Sequence, residues 1–120
     1  MGAWSDRYGE FVERGSIMRI LKFIVTGQVI RPDPSCDFSN IAKGTKGYLK
    51  AAFEFDSDWN GCRKAAVFEK LQTKFPAPII NNECMIPEDA LTWRTFKVSV
   101  VGEREGYRIT TNNVEVKQDG

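Results

Sequence analysis

The chain has 120 residues, 17 basic and 16 acidic side chains, a formal net charge of +1 and no histidine. This length fits one domain, and the balanced charge argues against duplex nucleic acid and anionic membrane as partners, because both require a concentrated positive face. Without histidine, Ser-His-Asp and Cys-His catalytic arrangements are excluded, and the commonest general base near neutral pH is missing.

Residues 1–16 predict a short helix, which we call the N-terminal arm. The apolar side chains that share one face of this helix are Trp4, Tyr8, Phe11 and Val12. A helix this short is marginal in water, so its aromatic stripe must pack on something. The stripe docks either on the chain's own domain or in a neighbouring subunit, and these four residues are the predicted partner-binding residues of the arm.

Strand and turn signals alternate in the next part of the chain. Positions 17–30 are rich in β-branched residues and predict one long strand, broken at Gly27, and the prolines and glycines of positions 31–47 predict a loop. Residues 49–55 place apolar side chains at every second position, which predicts a half-buried strand. Residues 64–70 predict another strand, and the polar turn between the two predicts that they form a hairpin.

The second half of the chain predicts further short strands. They lie at 73–80, 83–86, 96–100, 107–111 and 114–116. Pro76 and Pro78 limit the first of these to a sheet edge, because proline lacks the N–H that an interior strand donates. Residues 87–91 predict a single helical turn with proline at its start. Asn112 and Asn113 predict a bulge or a tight turn before the last strand.

These elements together predict the fold class. Short strands at regular spacing, joined by Gly, Pro, Asn and Asp turns, are typical of an antiparallel sandwich or barrel rather than a parallel βαβ sheet. We therefore expect a mostly β protein with two parts. Residues 17–120 would form an immunoglobulin-like antiparallel β-sandwich, and residues 1–16 would form the short N-terminal helix or arm that precedes it.

The segment 56–61, Asp-Ser-Asp-Trp-Asn-Gly, matches the first half of a calcium-binding loop, D-x-D-x-N-G. The twelfth position of such a loop should be an acidic ligand, but here it is Val67. The favoured interpretation is a turn in which Asp and Asn side chains bind nearby backbone amides. The chain's carboxylate pairs are likewise interpreted as solvated turn residues: Asp56 with Asp58, and Glu88 with Asp89. We expect no metal site and no catalytic residue.

The cysteines and the loop tryptophans carry the remaining side-chain signals. Cys36, Cys62 and Cys84 are irregularly spaced, and we interpret them as mostly buried thiols in a reducing compartment. Trp59 and Trp93 lie in predicted turns, where tryptophans stack on sugars, anchor protein partners or fold inward. The phenylalanines near Trp59 favour the inward position for it. Both tryptophans are candidates for ligand-binding loops.

Two stretches carry a resemblance: F-E-F-D-S-D-W-N-G at 53–61 and K-A-A-V-F at 64–68. They resemble small β-sandwich proteins encoded among the tail and virion genes of phages of Gram-positive, Clostridia-like bacteria. That group continues with C-x-I-P-x-x-x-L and V-x-V-x-G, which correspond here to 84–91 and 98–102. The match covers about residues 18–118. It implies a virion structural or accessory part and no catalytic residues.

We therefore expect a non-enzymatic phage virion protein of the tail, baseplate or capsid decoration, which acts by protein–protein assembly without a cofactor. It would be made in the host cytoplasm and reside in the virion. Its expected partners are other virion proteins or copies of itself, with a surface glycan of the host as a further candidate, and neither nucleic acid nor membrane. Two alternatives stay open: a carbohydrate- or host-receptor-binding module, and an inhibitor of a host protein.

Overall fold

A computed structural model describes residues 18–118 of the chain. In this part the chain forms two β-sheets that enclose one apolar core, so the mostly β, sandwich-like prediction is confirmed. The N-terminal arm, with Trp4, Tyr8, Phe11 and Val12, lies outside the described residues.

The elements follow each other in a simple order. The strands are β1 (Arg19–Thr26), β2 (Val29–Pro32), β3 (Leu49–Phe55), β4 (Arg63–Lys70), β5 (Thr73–Ile79), β6 (Glu83–Met85), β7 (Thr95–Arg104), β8 (Tyr107–Thr110) and β9 (Val114–Lys117). Short 3₁₀ turns occupy Ser57–Trp59 and Glu88–Leu91. The break at Gly27 and the helical turn before β7 are therefore confirmed. The loop expected from position 31 begins only after Pro32.

The strand order explains one departure from the predicted antiparallel sandwich. The first sheet has the order β2-β1-β3-β6, and the second has the order β5-β4-β7-β8 with β9 also paired to β7. β1 and β3 run parallel, with Leu21 opposite Ala51. The long loop after β2 carries the chain back to the end of the sheet where β1 begins, so β3 starts beside the start of β1. Every other strand pair within residues 18–118 is antiparallel.

The predicted hairpin between residues 49–55 and 64–70 is wrong. β3 pairs with β1 and β6 in the first sheet, whereas β4 pairs with β5 and β7 in the second. The 3₁₀ turn between them carries Trp59 into the core, where its side chain has 0% exposure. With Trp59 buried in the core, the chain crosses at this turn from the first sheet to the second and does not fold back on β3.

Trp59 is held tightly from two sides. Its indole Nε1 donates a hydrogen bond of 2.9 Å to the backbone carbonyl of Gly27, in the β1–β2 turn. On the other side, β7 passes so close that a Cβ atom added to Gly102 would lie 2.7 Å from Cζ3 of the indole. A side chain at position 102 is therefore incompatible with this packing, and glycine is the residue that lets the two elements touch.

A β-bulge connects the two sheets along one side. Val101 pairs with Thr110 and Val98 pairs with Val114, so three steps along β7 face four steps on the other chain segment. Asn112 and Asn113 thus lie opposite the single residue Ser99, so of the two predicted alternatives, a bulge or a tight turn, the bulge is the one observed. The backbone N–H of Asn112 donates to the carbonyl of Gln28 at 3.1 Å, and its Oδ1 accepts from the N–H of Ile30 at 3.0 Å.

The other side of the sandwich ends at β5, which pairs only with β4, as expected for an edge strand. The N–H of Ile80 donates to the carbonyl of Glu83 at 2.9 Å, away from β4. Along a strand, the backbone nitrogens of every second residue point to the same edge. The ring nitrogens of Pro78 and Pro76 therefore face the same free edge as the N–H of Ile80. That edge therefore lacks two of the donors that a further strand would need.

Two ends of the sandwich can now be distinguished. We call the basal end the one at which β1, β3 and β7 begin and β4 and β6 finish. It is tied by hydrogen bonds from the N–H of Gly44 to the carbonyl of Leu91, at 2.7 Å, and from the N–H of Gln118 to the carbonyl of Arg94, at 2.7 Å. The apical end carries the β1–β2, β5–β6 and β7–β8 turns.

Candidate interaction surface

A cross-strand row of side chains crosses the outer face of the first sheet near its basal end. Ile20 lies opposite Lys50, and Lys50 lies opposite Met85. The neighbouring positions Leu21 and Cys84 point into the core. Since side chains alternate along a strand, the row itself must face outward. Two apolar side chains of this row are therefore exposed to solvent although they belong to paired strands.

The lysine in the middle of the row does not interrupt its apolar character. The Nζ atom of Lys50 lies 3.0 Å from Oε1 of Glu83. This ion pair draws the charged group toward the next row of the sheet, while the methylene stem stays between Ile20 and Met85. An exposed ion pair of this kind contributes at most about 1 kcal/mol to stability, so its effect here is chiefly on the direction of the stem.

Tyr48 extends the exposed apolar surface to the basal margin. The N–H of Arg19 donates to the carbonyl of Tyr48 at 2.9 Å, which continues the β1–β3 ladder by one position. Ile20, Tyr48 and Met85 are 38%, 44% and 42% exposed. We call these three residues, together with the stem of Lys50, the basal patch. The N-terminal arm joins the described part of the chain directly beside this patch, at Met18.

The loop beside the basal patch is held in place by Arg19. Its guanidinium donates to the backbone carbonyls of Asp37, Ser39 and Asn40. Further along, the N–H of Asp33 donates to the carbonyl of Lys22 at 2.9 Å. The loop therefore covers the basal half of the β1 edge that β2 does not reach, and it leaves the outer face of the sheet open.

Two aspartates shape this loop through local hydrogen bonds. The backbone N–H and the hydroxyl of Ser35 both donate to Oδ1 of Asp33, and together they lower the pKa of that carboxyl. The hydroxyl and the backbone N–H of Ser39 do the same for Asp37, whose pKa is also lowered. Both carboxylates thus accept hydrogen bonds that hold the turns of this loop.

A second pair of exposed apolar residues lies at the basal end, on the side of the second sheet. Leu71 occupies the β4–β5 turn with a φ of 58°, a conformation that is uncommon for a bulky residue. Trp93 precedes β7, and the guanidinium of Arg94 lies 5.3 Å from its ring centroid. A hydrogen bond of 2.8 Å from Nζ of Lys70 to Oγ1 of Thr92 connects the two turns.

The two tryptophans that the sequence indicates as ligand-binding candidates differ in burial. Trp59 is fully buried and lies 5.3 Å from the ring of Phe55, so the inward position favoured for it is the one observed. It presents no surface on which a sugar ring could stack. Trp93 is 39% exposed, so it alone of the two has the exposure that the binding hypothesis requires.

The segment that resembled a calcium loop forms a capped turn. Oδ1 of Asp56 accepts from the N–H of Asp58 at 3.1 Å, and its Oδ2 accepts from the N–H of Gly27 at 2.8 Å. Both carboxylate oxygens are therefore engaged with the backbone, as the turn interpretation predicted. Among residues 18–118 there is no group of three or more Cys, Asp or Glu side chains arranged to hold a metal ion.

The cysteines are free thiols, and they differ in burial. Cys62 and Cys84 are buried and Cys36 is half-buried, in line with the interpretation from their spacing. Burial raises the pKa of Cys84 to about 12, which keeps this thiol protonated and unreactive near neutral pH. The Sγ atom of Cys36 lies 3.4 Å from the backbone nitrogen of Lys22 and accepts its hydrogen bond. It thus takes the place that a carbonyl of a neighbouring strand would have along the β1 edge.

The residues of the basal patch were not singled out by the sequence. Ile20 belongs to a nearly continuous apolar run, in which the alternation of inward and outward positions is hidden. Met85 stands between Cys84 and Ile86, both of which are buried. A signal could have been taken from the buried positions of β3: once Leu49 and Ala51 are placed inward, Tyr48 and Lys50 must face outward.

Comparisons of the chain with protein family models, with curated proteins and with solved structures give no match. No helix in the described part of the chain has the length and apolar character needed to span a membrane. The candidate surface is therefore interpreted from its own residues.

Proposed function

We propose that this chain is a non-enzymatic structural or accessory protein of a phage particle, of the tail, baseplate or capsid decoration, and that it acts by protein–protein assembly. Its N-terminal arm would bury Trp4, Tyr8, Phe11 and Val12 in an adjacent subunit. The partners would be other virion proteins or copies of the chain, and the protein would be made in the host cytoplasm and reside in the virion.

One observation carries the assembly proposal. Ile20, Tyr48 and Met85 expose apolar surface on a paired sheet, at the margin where the aromatic arm joins the domain. Isolated exposed apolar residues are common, but an apolar cross-strand row beside an apolar segment is typical of a surface that is covered in an assembly. Burial of such surface contributes about 25 cal/mol per Å², before the cost of ordering the arm.

The residues that carry the phage resemblance support the proposal at the level of architecture. Phe53, Trp59 and Phe68 of the first two stretches are buried, as are Cys84, Ile86, Leu91, Val98 and Val100 of the later ones. A pattern made of core and turn positions is what proteins of one fold would share. We propose on this basis that the domain is a variant of the immunoglobulin-like sandwich in which β1 and β3 pair in parallel.

The mass in solution tests the assembly proposal. Size-exclusion chromatography with light scattering is applied to the full chain and to a version that begins at Met18, which retains every residue of the described core. We expect the full chain to form a defined oligomer and the shortened chain to be a monomer. A monomer in both cases would contradict self-assembly through the arm, and an oligomer in both would place the interface within the sandwich.

The exposure of Trp93 favours a second candidate function, a carbohydrate- or host-receptor-binding module. An exposed indole offers an apolar face to a sugar ring, and Arg94 beside it offers donors to hydroxyl groups. In a glycan array, Trp93→Ala should then lose binding while its thermal midpoint stays within a few degrees of the parent. Glycan binding that is unchanged in Trp93→Ala, or absent from the parent protein, would exclude this candidate.

A further inference from the structure

We propose that the basal patch is the receptor for the N-terminal arm of a second copy, and that two copies exchange arms reciprocally to form a closed dimer. This inference rests on the proposed assembly function and gives it an interface, a partner and a symmetry. The occupant is the arm of the second copy, residues 1–16, and the surface that receives it is formed by Ile20, Tyr48, Met85 and the stem of Lys50.

The position of the arm relative to the patch is the first argument. The arm enters at Met18, and the next backbone N–H, that of Arg19, is already bound to the carbonyl of Tyr48. Arm and patch therefore belong to the same end of the molecule. When two such ends meet about a two-fold axis, each arm lies beside the other copy's patch. If the patch lay at the apical end, contacts between arm and patch would instead be head-to-tail and would produce a ring or an open chain of subunits.

The limits of the patch argue against an arm that folds back along its own strands. One row further up the outer face, Lys22 lies opposite Ala52, and Ala52 lies opposite Glu83. An arm that folded back along its own sheet would lay its aromatic stripe across these two charged side chains. An arm that continues away from its own domain avoids them and meets only the apolar margin of the facing copy.

Reach and charge are both compatible with this exchange. The apolar stripe of the predicted helix runs from Trp4 to Val12, about 12 Å at about 1.5 Å per residue. That length is enough to cross a row of three strands, which lie about 4.8 Å apart. The loop that leads to Tyr48 carries Lys43 and Lys46, and the second of these lies 3.7 Å from Glu88. The arm carries three acidic and two basic side chains, Asp6, Glu10 and Glu13 with Arg7 and Arg14. The small net negative charge of the arm is thus compatible with the lysines of the loop.

The experiment uses the full chain and three pairs of substitutions. The patch variant is Ile20→Ser with Met85→Ser, and the arm variant is Trp4→Ser with Phe11→Ser. The matched control is Val29→Ser with Ile80→Ser, which removes two exposed apolar side chains, 52% and 68% exposed, from the apical end. Circular dichroism first establishes that each variant is folded, and light scattering then gives the mass over a range of concentrations.

We expect the parent and the control to have a mass of about 27 kDa, twice the 13.6 kDa of one chain. The patch and arm variants should be monomers, with dimer dissociation constants at least about tenfold weaker for each apolar side chain removed. An equimolar mixture of the patch variant and the arm variant should recover a heterodimer, because one intact arm and one intact patch are then present on different chains.

Other outcomes would overturn the inference in distinguishable ways. If the arm variant dissociates but the patch variant stays dimeric, assembly through the arm stands and the basal patch is not its receptor. A monomeric parent contradicts the reciprocal dimer. A dimer that persists in both variants places the interface elsewhere, and a mixture that stays monomeric excludes exchange between copies.

Discussion

The contact between Trp59 and Gly102 leaves no room for a side chain at position 102. A Cβ at position 102 would lie 2.7 Å and 2.8 Å from two ring carbons of an indole that is already fixed by its hydrogen bond to Gly27. We therefore expect Gly102→Ala to lower the free energy of unfolding by about 1–3 kcal/mol through overpacking. Urea denaturation followed by tryptophan fluorescence measures this change.

Ser99→Ala is the matched control for this substitution. Ser99 lies on the same strand, but its side chain faces outward and is half-buried. We expect its free energy of unfolding to stay within about 0.5 kcal/mol of the parent. If Gly102→Ala were equally neutral, the indole would have room to move, and the role assigned to Trp59 in directing the chain between sheets would be weakened.

The aspartates of the loop between β2 and β3 predict a pH-dependent structure. The pKa values of Asp33 and Asp37 in the folded chain lie below their usual value of 3.8, because Ser35 and Ser39 donate hydrogen bonds to the charged form. Groups whose folded pKa is lowered stabilise the fold above the unfolded pKa, and this contribution is lost as the pH falls through the folded pKa. We expect the loop to loosen below about pH 4.

The amide chemical shifts of Ser35 and Ser39 report this titration by NMR. In the parent their midpoints should lie below 3.8, and Asp37→Asn should abolish the transition at Ser39 while leaving that at Ser35. Midpoints at or above 3.8 would mean that the two aspartate turns are not formed in solution.

At the scale of elements, the bulge at Asn112 joins the two sheets, because the side chain and the backbone of Asn112 both form hydrogen bonds with the backbone of residues 28–30. The Oδ1 atom of Asn112 is the acceptor for the N–H of Ile30 on the outer edge of β2. Asn112→Ala should lower the free energy of unfolding by about 1–2 kcal/mol, because it leaves a partly buried donor without a partner. It should also accelerate hydrogen exchange of the Ile30 amide.

Asn112→Asp is the matched control, since aspartate keeps an oxygen acceptor at the Oδ1 position. It tests whether the effect of the alanine variant comes from loss of the hydrogen bond. We expect it to retain most of the protection of the Ile30 amide and most of the stability. If the Ile30 amide of the alanine variant exchanged hydrogen no faster than that of the parent, the two sheets would be held together at Asn112 by packing and not by this hydrogen bond.

The strands were predictable where a single strand carries its own signal. The alternation over residues 49–55 and 96–100 gave the positions of β3 and β7, and Pro76 and Pro78 gave the edge position of β5. The pairing of strands was not predictable in the same way. The β3–β4 hairpin was wrong because a polar turn between two strands does not reveal that the chain crosses from one sheet to the other within it. The parallel β1–β3 pair depends on the path of a long loop that has no periodic pattern.

The candidate surface was less accessible to sequence reasoning than the fold. An aromatic stripe such as Trp4, Tyr8 and Phe11 can be found from helical spacing alone. Ile20 and Met85 become neighbours only because Lys50 lies between them on β3, and these contacts join residues far apart in the chain. Their outward position follows from register, and register is set by the completed sheet.

At the scale of the whole molecule, the distribution of free edges and apolar surface indicates how copies could associate. β2 is covered by the Asn112 bulge, and the basal half of β1 is covered by the loop that Arg19 holds. The β5 edge has prolines where donors would be needed. Association by addition of strands is thus disfavoured at each of these edges, whereas the basal patch is left open for side-chain contacts.

This arrangement predicts that the prolines of β5 protect the molecule from uncontrolled association. Pro76→Thr with Pro78→Thr would place two N–H donors and two residues of high strand propensity on the free edge. We expect the variant to keep the sandwich but to form larger, polydisperse species as its concentration rises, which dynamic light scattering detects. Pro34→Thr, in the loop after β2, is the control and should leave the particle size unchanged. If the β5 variant remained as uniform as the parent, the edge would have to be protected by something other than its missing donors, and the charged row formed by Lys74, Glu69 and Lys97 would be the next feature to change.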